Sequence, residues 1–233
     1  MTPPRAKKIP KELTIHNDTR IDHYYWLNER EDPEVIDYLK KENAYLNEKM
    51  KETNDLQENL YDEIIGRIRQ TDMSVPYLSN GYYYYSRYEE GKEYPFYCRK
   101  KGSLDAEEEI MLNVNELAEG YAYYQVGGLS VSPDNRKICF GVDTLSRRIY
   151  TLHFKDLETG EILEDEIQGT TGQGSWANDN ETLFYTVKDE QTLRSFQIYR
   201  HKMTQPQSKD ELIYQEDDET FTCAVYKTKS RDY

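Results

Sequence analysis

Apolar positions recur at two different periods along this chain, and the change of period divides it. Between Asp32 and Ile68 the spacing is helical. Val35, Tyr38, Leu39, Leu46 and Met50 form one stripe, and Leu56, Leu60, Ile64 and Ile68 form a second with one apolar residue every four. Asp32-Pro33 reads as the start of the first helix, with Asp as N-cap and Pro at the first helical position. Thr53 to Asp55 reads as the break before the second helix. Two such helices bury little against each other, so their stripes predict a larger partner surface. Ahead of them, Met1 to Asn28 carries prolines at 3, 4 and 10 and the cluster Tyr24-Tyr25-Trp26-Leu27, and reads as an irregular arm.

The helical period stops at Thr71 to Pro76 and strand-like sequence begins. Tyr82 to Tyr85, a turn at Glu89-Glu90-Gly91-Lys92, and Tyr94 to Arg99 read as strand, turn, strand, with Ile110 to Val114 as a third strand after an acidic loop, Asp105 to Glu109. The pattern is written most plainly at Leu129 to Leu152. There Ser132-Pro133-Asp134-Asn135 is a turn, Ile138 to Val142 a strand, Asp143 to Ser146 a second turn, and Arg148 to Phe154 an alternating, half-buried strand. About 45 residues on, the grammar returns in the turn Ala177-Asn178-Asp179-Asn180, the strand Thr182 to Val187 and its partner Phe196 to Arg200.

Strand-and-turn units of this period predict propeller blades, which must stack because an isolated hairpin cannot bury its own faces. Units begin near residues 77, 129 and 174. Cys223-x-Val225 with Arg231-x-Tyr233 matches Phe140-x-Val142 with Arg148-x-Tyr150, so a further unit is expected to start and stop mid-hairpin. The expected fold is mainly β, with an N-terminal helical arm over 1–72. Residues 73–233 then form an incomplete β-propeller of about two and a half to three blades.

Composition narrows the partners. Hydrophobic residues make up 36% of the 233, low for a compact chain, but 22 tyrosines supply packing area with a polar handle. A formal net charge of −14 argues against nucleic acid or an anionic membrane as partner and would attract a basic ligand. Cys98, Cys139 and Cys223 are isolated within strand-like runs and read as buried, reduced thiols. With no apolar run long enough to span a bilayer and no apolar core in MTPPRAKKIP, a cytoplasmic location is expected.

Specific motifs then point to a family. Pro3-Pro4-x-Ala6 with His16, Asp22-x-Tyr24-x-Trp26-Leu27, Asp32-Pro33-Glu34-Val35-x-x-Tyr38-Leu39-x-x-Glu42-Asn43-Ala44-Tyr45 and Glu63-x-x-Gly66-Arg67-Ile68 resemble the opening of the oligopeptidase B branch of the prolyl oligopeptidase family of serine peptidases. The resemblance covers essentially the whole chain. It implies a seven-bladed propeller in the intact enzyme, an arm that packs on a C-terminal α/β-hydrolase domain missing here, and hydrolysis of short basic peptides after Lys or Arg.

The residues themselves offer no catalytic set, no cofactor site and no metal site. Ser175, in Gly172-Gln173-Gly174-Ser175-Trp176, lacks the second flanking glycine of a G-x-S-x-G elbow and leads into a turn and strand. Gly169 to Gly174 lacks the Lys-Ser/Thr of a phosphate loop and reads as a blade-to-blade loop. His16, His23, His153 and His201 show no ligand spacing. Two classes of function remain: the N-terminal part of a serine oligopeptidase, inert alone, or a non-catalytic propeller-like module that binds a peptide or protein.

Overall fold

The computed structural model describes residues 2–231, and these divide after Arg69 into two compact units. In the first unit, strands β1 (Lys11–Ile15) and β2 (Asp18–Asp22) form an antiparallel hairpin pairing Lys11 with Asp22 and Ile15 with Asp18. The arm expected to be irregular is therefore partly regular. Its turn is closed by His16 and Asn17, both at positive φ (51° and 62°), the conformation that a tight two-residue hairpin turn requires. A 3-10 turn at Tyr25–Asn28 sets the Trp26 ring edge-on to Tyr38, with centroids 6.3 Å apart, while Trp26 Nε1 donates to the Lys7 carbonyl at 3.0 Å.

Helix α1 (Pro33–Met50) starts where the sequence places it, with Asp32 accepting from the Glu34 N–H at 2.8 Å and Pro33 in the first turn. After a 3-10 turn at Lys51–Thr53, α2 (Asn54–Arg67) follows. Val35 is the buried residue of α1, and α2 buries none.

The second unit is mainly β. Strands β3 (Tyr77–Ser79), β4 (Tyr82–Arg87), β5 (Phe96–Lys101) and β6 (Glu108–Asn113) form one four-stranded antiparallel meander. The short helix α3 (Val114–Leu117) leads to a seven-stranded sheet of β7 (Gln125–Val131), β8 (Lys137–Asp143), β9 (Tyr150–Asp156), β10 (Ile162–Trp176), β11 (Thr182–Lys188), β12 (Ser195–Lys202) and β13 (Glu211–Gln215). This sheet is two blades joined through one strand. The first half of β10 pairs with β9 and its last residues pair with β11, the register shifting between Thr170 and Gly174.

Gly169 to Gly174 is thus a bulged strand crossing from blade to blade, not a loop. Glycine is required there because Gly172 has φ +87° and lies against the Tyr150 ring, and a Cβ on Gly141 of β8 would sit 2.5 Å from the Gly172 Cα. The acidic run is also revised. Glu108 and Glu109 belong to β6 and pair with Arg87 and Arg99, the Arg99 Nε to Glu109 contact being 2.7 Å. Arg148, expected to open a strand, is instead a turn residue at φ 57°, its N–H donating to Asp143 at 2.7 Å.

Blades stack through both faces of β8. Ile138, Phe140 and Val142 join Tyr84, Met111 and Leu112 of the first blade, while Cys139 joins Leu152, Phe154, Ile167, Trp176, Leu183 and Tyr185 toward the third. Burial on both faces is why this strand reads as a continuous apolar run. Each fully buried side chain contributes about 1.5–3 kcal/mol.

The turns lock in the same order. Asn80, Asn135 and Asn180, all at positive φ, close equivalent turns of successive blades. Asn80 Nδ2 donates to the Pro133 carbonyl (2.7 Å) and to Asn135 Oδ1 (3.0 Å), and Asn180 Oδ1 accepts from the Asp134 N–H (2.9 Å). Past β13 the described residues form no further strand, so Cys223-x-Val225 does not pair as its sequence match suggests. Cys223 N–H donates once, to Ser195 O, and Tyr233 of that match lies outside the described residues.

Candidate functional site

A cavity of about 680 Å3 opens where the first strands of successive blades come together. β3 and β7 are the terminal strands of their sheets, and each borders it. Leu129, Ser130 and Val131 are consecutive in β7 and point to alternate faces, so their shared presence in the lining means that the strand edge faces the space. Ser74, Tyr77 and Ser79 border it from the first blade, and Ser175 with Trp176 from β10. Trp176 Nε1 donates to the Ser130 carbonyl at 2.9 Å, tying β10 to β7 beneath the cavity.

The lining is unusual in charge. Among the described residues its lining has twenty members, which include Lys227 and Arg231 and no carboxylate. Lys227 Nζ donates to the Trp176 carbonyl at 3.2 Å and to Asn178 Oδ1, and Arg231 donates to Ser79 Oγ at 2.8 Å. Burial, with Arg231 close by, lowers the Lys227 ammonium from its ordinary pKa.

Ser175 sits in this lining, half-buried on β10, and among the described residues no hydrogen bond joins it to a histidine. His16 lies in the β1–β2 turn and His23 just after β2, whereas His153 is on β9, its ring tilted against Phe140 with centroids 5.8 Å apart. Burial lowers the His153 pKa, an effect that Glu166 opposes.

His201 is more elaborately held than the sequence suggests. Its Nδ1 faces Asp210 Oδ1 at 2.7 Å and its Nε2 faces Asp165 Oδ1 at 3.1 Å. Asp210 also accepts from the Tyr185 hydroxyl at 2.7 Å, and Asp165 from the Thr204 N–H at 2.6 Å. Burial first, then Asp210, raises the Tyr185 hydroxyl. With the His201 ring 1% exposed, this Asp-His-Asp-Tyr network ties β10, β11 and β12 to the residue that precedes β13. No sequence motif announces it, because its acids lie 36 and 9 residues from the histidine.

The thiols are not activated. Cys98 and Cys139 are buried and free, while Cys223 is only half-buried, against expectation. Burial pushes Cys98 up to about 12, with Glu108 adding to the shift, and it raises Cys139 and Cys223 as well. Among the described residues no three His, Cys, Asp or Glu side chains are grouped to hold a metal, and no helix is long and apolar enough to cross a membrane.

The family profile described as the prolyl oligopeptidase N-terminal beta-propeller domain matches residues 3–233. The chain belongs to the prolyl oligopeptidase family. Within this family it is 39% identical to dipeptidyl aminopeptidase BI of Pseudoxanthomonas mexicana and 37% identical to protease 2 of Moraxella lacunata, over 98% and 97% of its own length. The fold overlays oligopeptidase B from Leishmania major with a TM-score of 0.88 at 33% identity over 97% of this chain. It overlays antipain-bound oligopeptidase B from Trypanosoma brucei with 0.83 at 31% over 95%. The chain spans only about a third of each of these proteins: 34% of the two curated relatives and of the Leishmania chain, and 33% of the Trypanosoma chain.

Proposed function

We propose that this chain is the N-terminal part of a serine oligopeptidase that hydrolyses short peptides after Lys or Arg, and that it is inert alone. On this reading residues 1–72 are an arm that packs on a C-terminal hydrolase domain, and residues 73–233 are the first blades of its propeller. The reading is carried by one observation: nearly all of this chain aligns with about a third of each peptidase it resembles. The missing elbow serine, Asp and His would lie in the other two thirds. Exposed Leu46, Leu56, Leu60 and Ile64 on α1 and α2 support an additional partner surface for the arm.

The test is cleavage of a short fluorogenic peptide with Arg before the leaving group, with oligomeric state recorded alongside. The expected outcome is no turnover by the 233-residue chain. Turnover that survives stringent purification and tracks the chain's own elution would sink the proposal. The second reading, a non-catalytic peptide-binding module, is favoured by the cavity between the blades. A stop codon after residue 233 keeps it alive, whereas downstream G-x-S-x-G, Asp and His codons remove it.

A further inference from the structure

The charge of the cavity runs against the charge of the protein. Nearly one residue in five of the chain is Asp or Glu, 44 of 233, yet among the described residues the twenty that line this space include two cations and no acid. Among the described residues the side-chain hydrogen-bond partners of Lys227 and Arg231 are neutral groups, the Trp176 carbonyl, Asn178 and Ser79, and both cations border the cavity. An anion placed there would make charge-assisted hydrogen bonds and relieve the repulsion between the two cations.

The remaining lining indicates what carries the anion. At about 680 Å3 the space is of the size that takes an organic ligand rather than a bare inorganic ion. The edges of β3 and β7 border it, and an exposed strand edge recognises an extended peptide through main-chain hydrogen bonds. Ser74, Ser79 and Ser130 add hydroxyls that can donate or accept, and the Tyr77 ring adds an apolar face.

We propose that this cavity binds the C-terminal end of an oligopeptide, its carboxylate held between Lys227 and Arg231 and its main chain running along the edge of β7. The inference deepens the proposed function by naming the peptide terminus that the blades recognise, and it rests on that reading only in taking a peptide as the ligand. Recognition of a terminal carboxylate selects peptides that end near this point, so length and a free end become criteria independent of the residue cleaved.

The test needs no turnover, so a chain inert toward Arg peptides can still pass or fail it. An N-terminally labelled pentapeptide of Ala and Gly is titrated by fluorescence anisotropy as the free acid, as the C-terminal amide, and as an amide with one internal Glu. The free acid is expected to bind at least about tenfold tighter than the plain amide, since a hydrogen bond to a charged group is worth about 1.5–3 kcal/mol. Lys227→Gln and Arg231→Gln should each remove most of that preference, and Lys229→Gln, outside the lining, should leave it intact. Arg231 is exposed, so its variant carries the test should Lys227→Gln disturb the circular dichroism spectrum. Equal affinity for acid and amide, or no binding to the folded chain, overturns the proposal. Binding of the Glu-containing amide as tight as that of the free acid overturns the assignment to a peptide end and gives the cavity to acidic side chains.

Discussion

Helix α2 and strand β8 are each built around a regular apolar run, and they fare oppositely. α2 sets Leu56, Leu60 and Ile64 four residues apart and leaves them all exposed, Leu60 at 47%. β8 has Ile138, Cys139, Phe140 and Val142 buried, Ile138 completely. A helix satisfies its backbone internally, so local signals such as the Asp32 cap define α1 before any partner arrives. A strand satisfies half its backbone on each neighbour, so β8 exists only with β7 and β9 beside it and blades against both faces. Periodicity therefore predicts element type in both regions and burial in only one.

Truncation of the two cores should separate them most sharply. Phe154, fully buried and packed edge-on to Trp176 at 5.7 Å, should lose about 3–5 kcal/mol as Phe154→Ala. Leu60→Ala should stay within about 0.5 kcal/mol in this chain. Denaturant midpoints measure both. A Leu60→Ala cost near that of Phe154→Ala would mean that the α2 stripe is already covered and would break the comparison.

The next effect probes the blade-to-blade crossing, which has no counterpart in the helices. A methyl on Gly141 meets backbone at Gly172, not a movable side chain, so Gly141→Ala should cost about 1–3 kcal/mol through overpacking. Gly160→Ala, with open space around its Cβ position but φ +79°, isolates the cost of backbone conformation alone. A Gly141→Ala variant as stable as the unsubstituted chain would show that the close approach contributes nothing.

Where the sequence could be read and where it could not follows from the same contrast. The Asp32-Pro33 start, the recurrent Asn turns and the strands at 182–188 and 195–202 depend on neighbours in sequence, and they stand where the pattern puts them. The β1–β2 hairpin was hidden because Lys11–Ile15 and Asp18–Asp22 are exposed or half-buried throughout and so lack an apolar alternation; His16-Asn17 was its one signal. Gly169 to Gly174 looked like a loop because glycine ordinarily breaks strands, and its true reason, contact with Tyr150 and Gly141, is nonlocal. Glu108 and Glu109 read as solvated in the sequence because their partners, Arg87 on β4 and Arg99 on β5, are brought to β6 only by the sheet. The cavity was illegible for the same reason: Ser79, Ser130, Trp176 and Arg231 are far apart in sequence and are gathered by the stacking of the blades.

The smallest effect sharpens the contrast through acid. In the blades, turn carboxylates are held below their ordinary pKa by the groups their own turns supply. For Asp179, burial would raise the carboxyl, but the Thr182 hydroxyl (2.6 Å) and the N–H groups of Glu181 (3.0 Å) and Thr182 (2.8 Å) outweigh it and hold it at about 2. Asp156 is lowered likewise by the N–H groups of Thr159 and Glu158. A carboxyl depressed on folding contributes stability that is fully present above its unfolded value, about 3.9, and is lost as pH falls through the folded one. The near-UV signal of the blades should therefore weaken between about pH 4 and pH 2. Asp179→Asn, which keeps an acceptor but removes the charge, should lower the denaturation midpoint slightly at pH 6 and flatten part of that acid decline. The gain is small because Asp179 remains about half exposed to solvent, which screens the interaction. An acid decline as steep in Asp179→Asn as in the unsubstituted chain would assign the sensitivity to the other lowered carboxylates and remove this turn from the account.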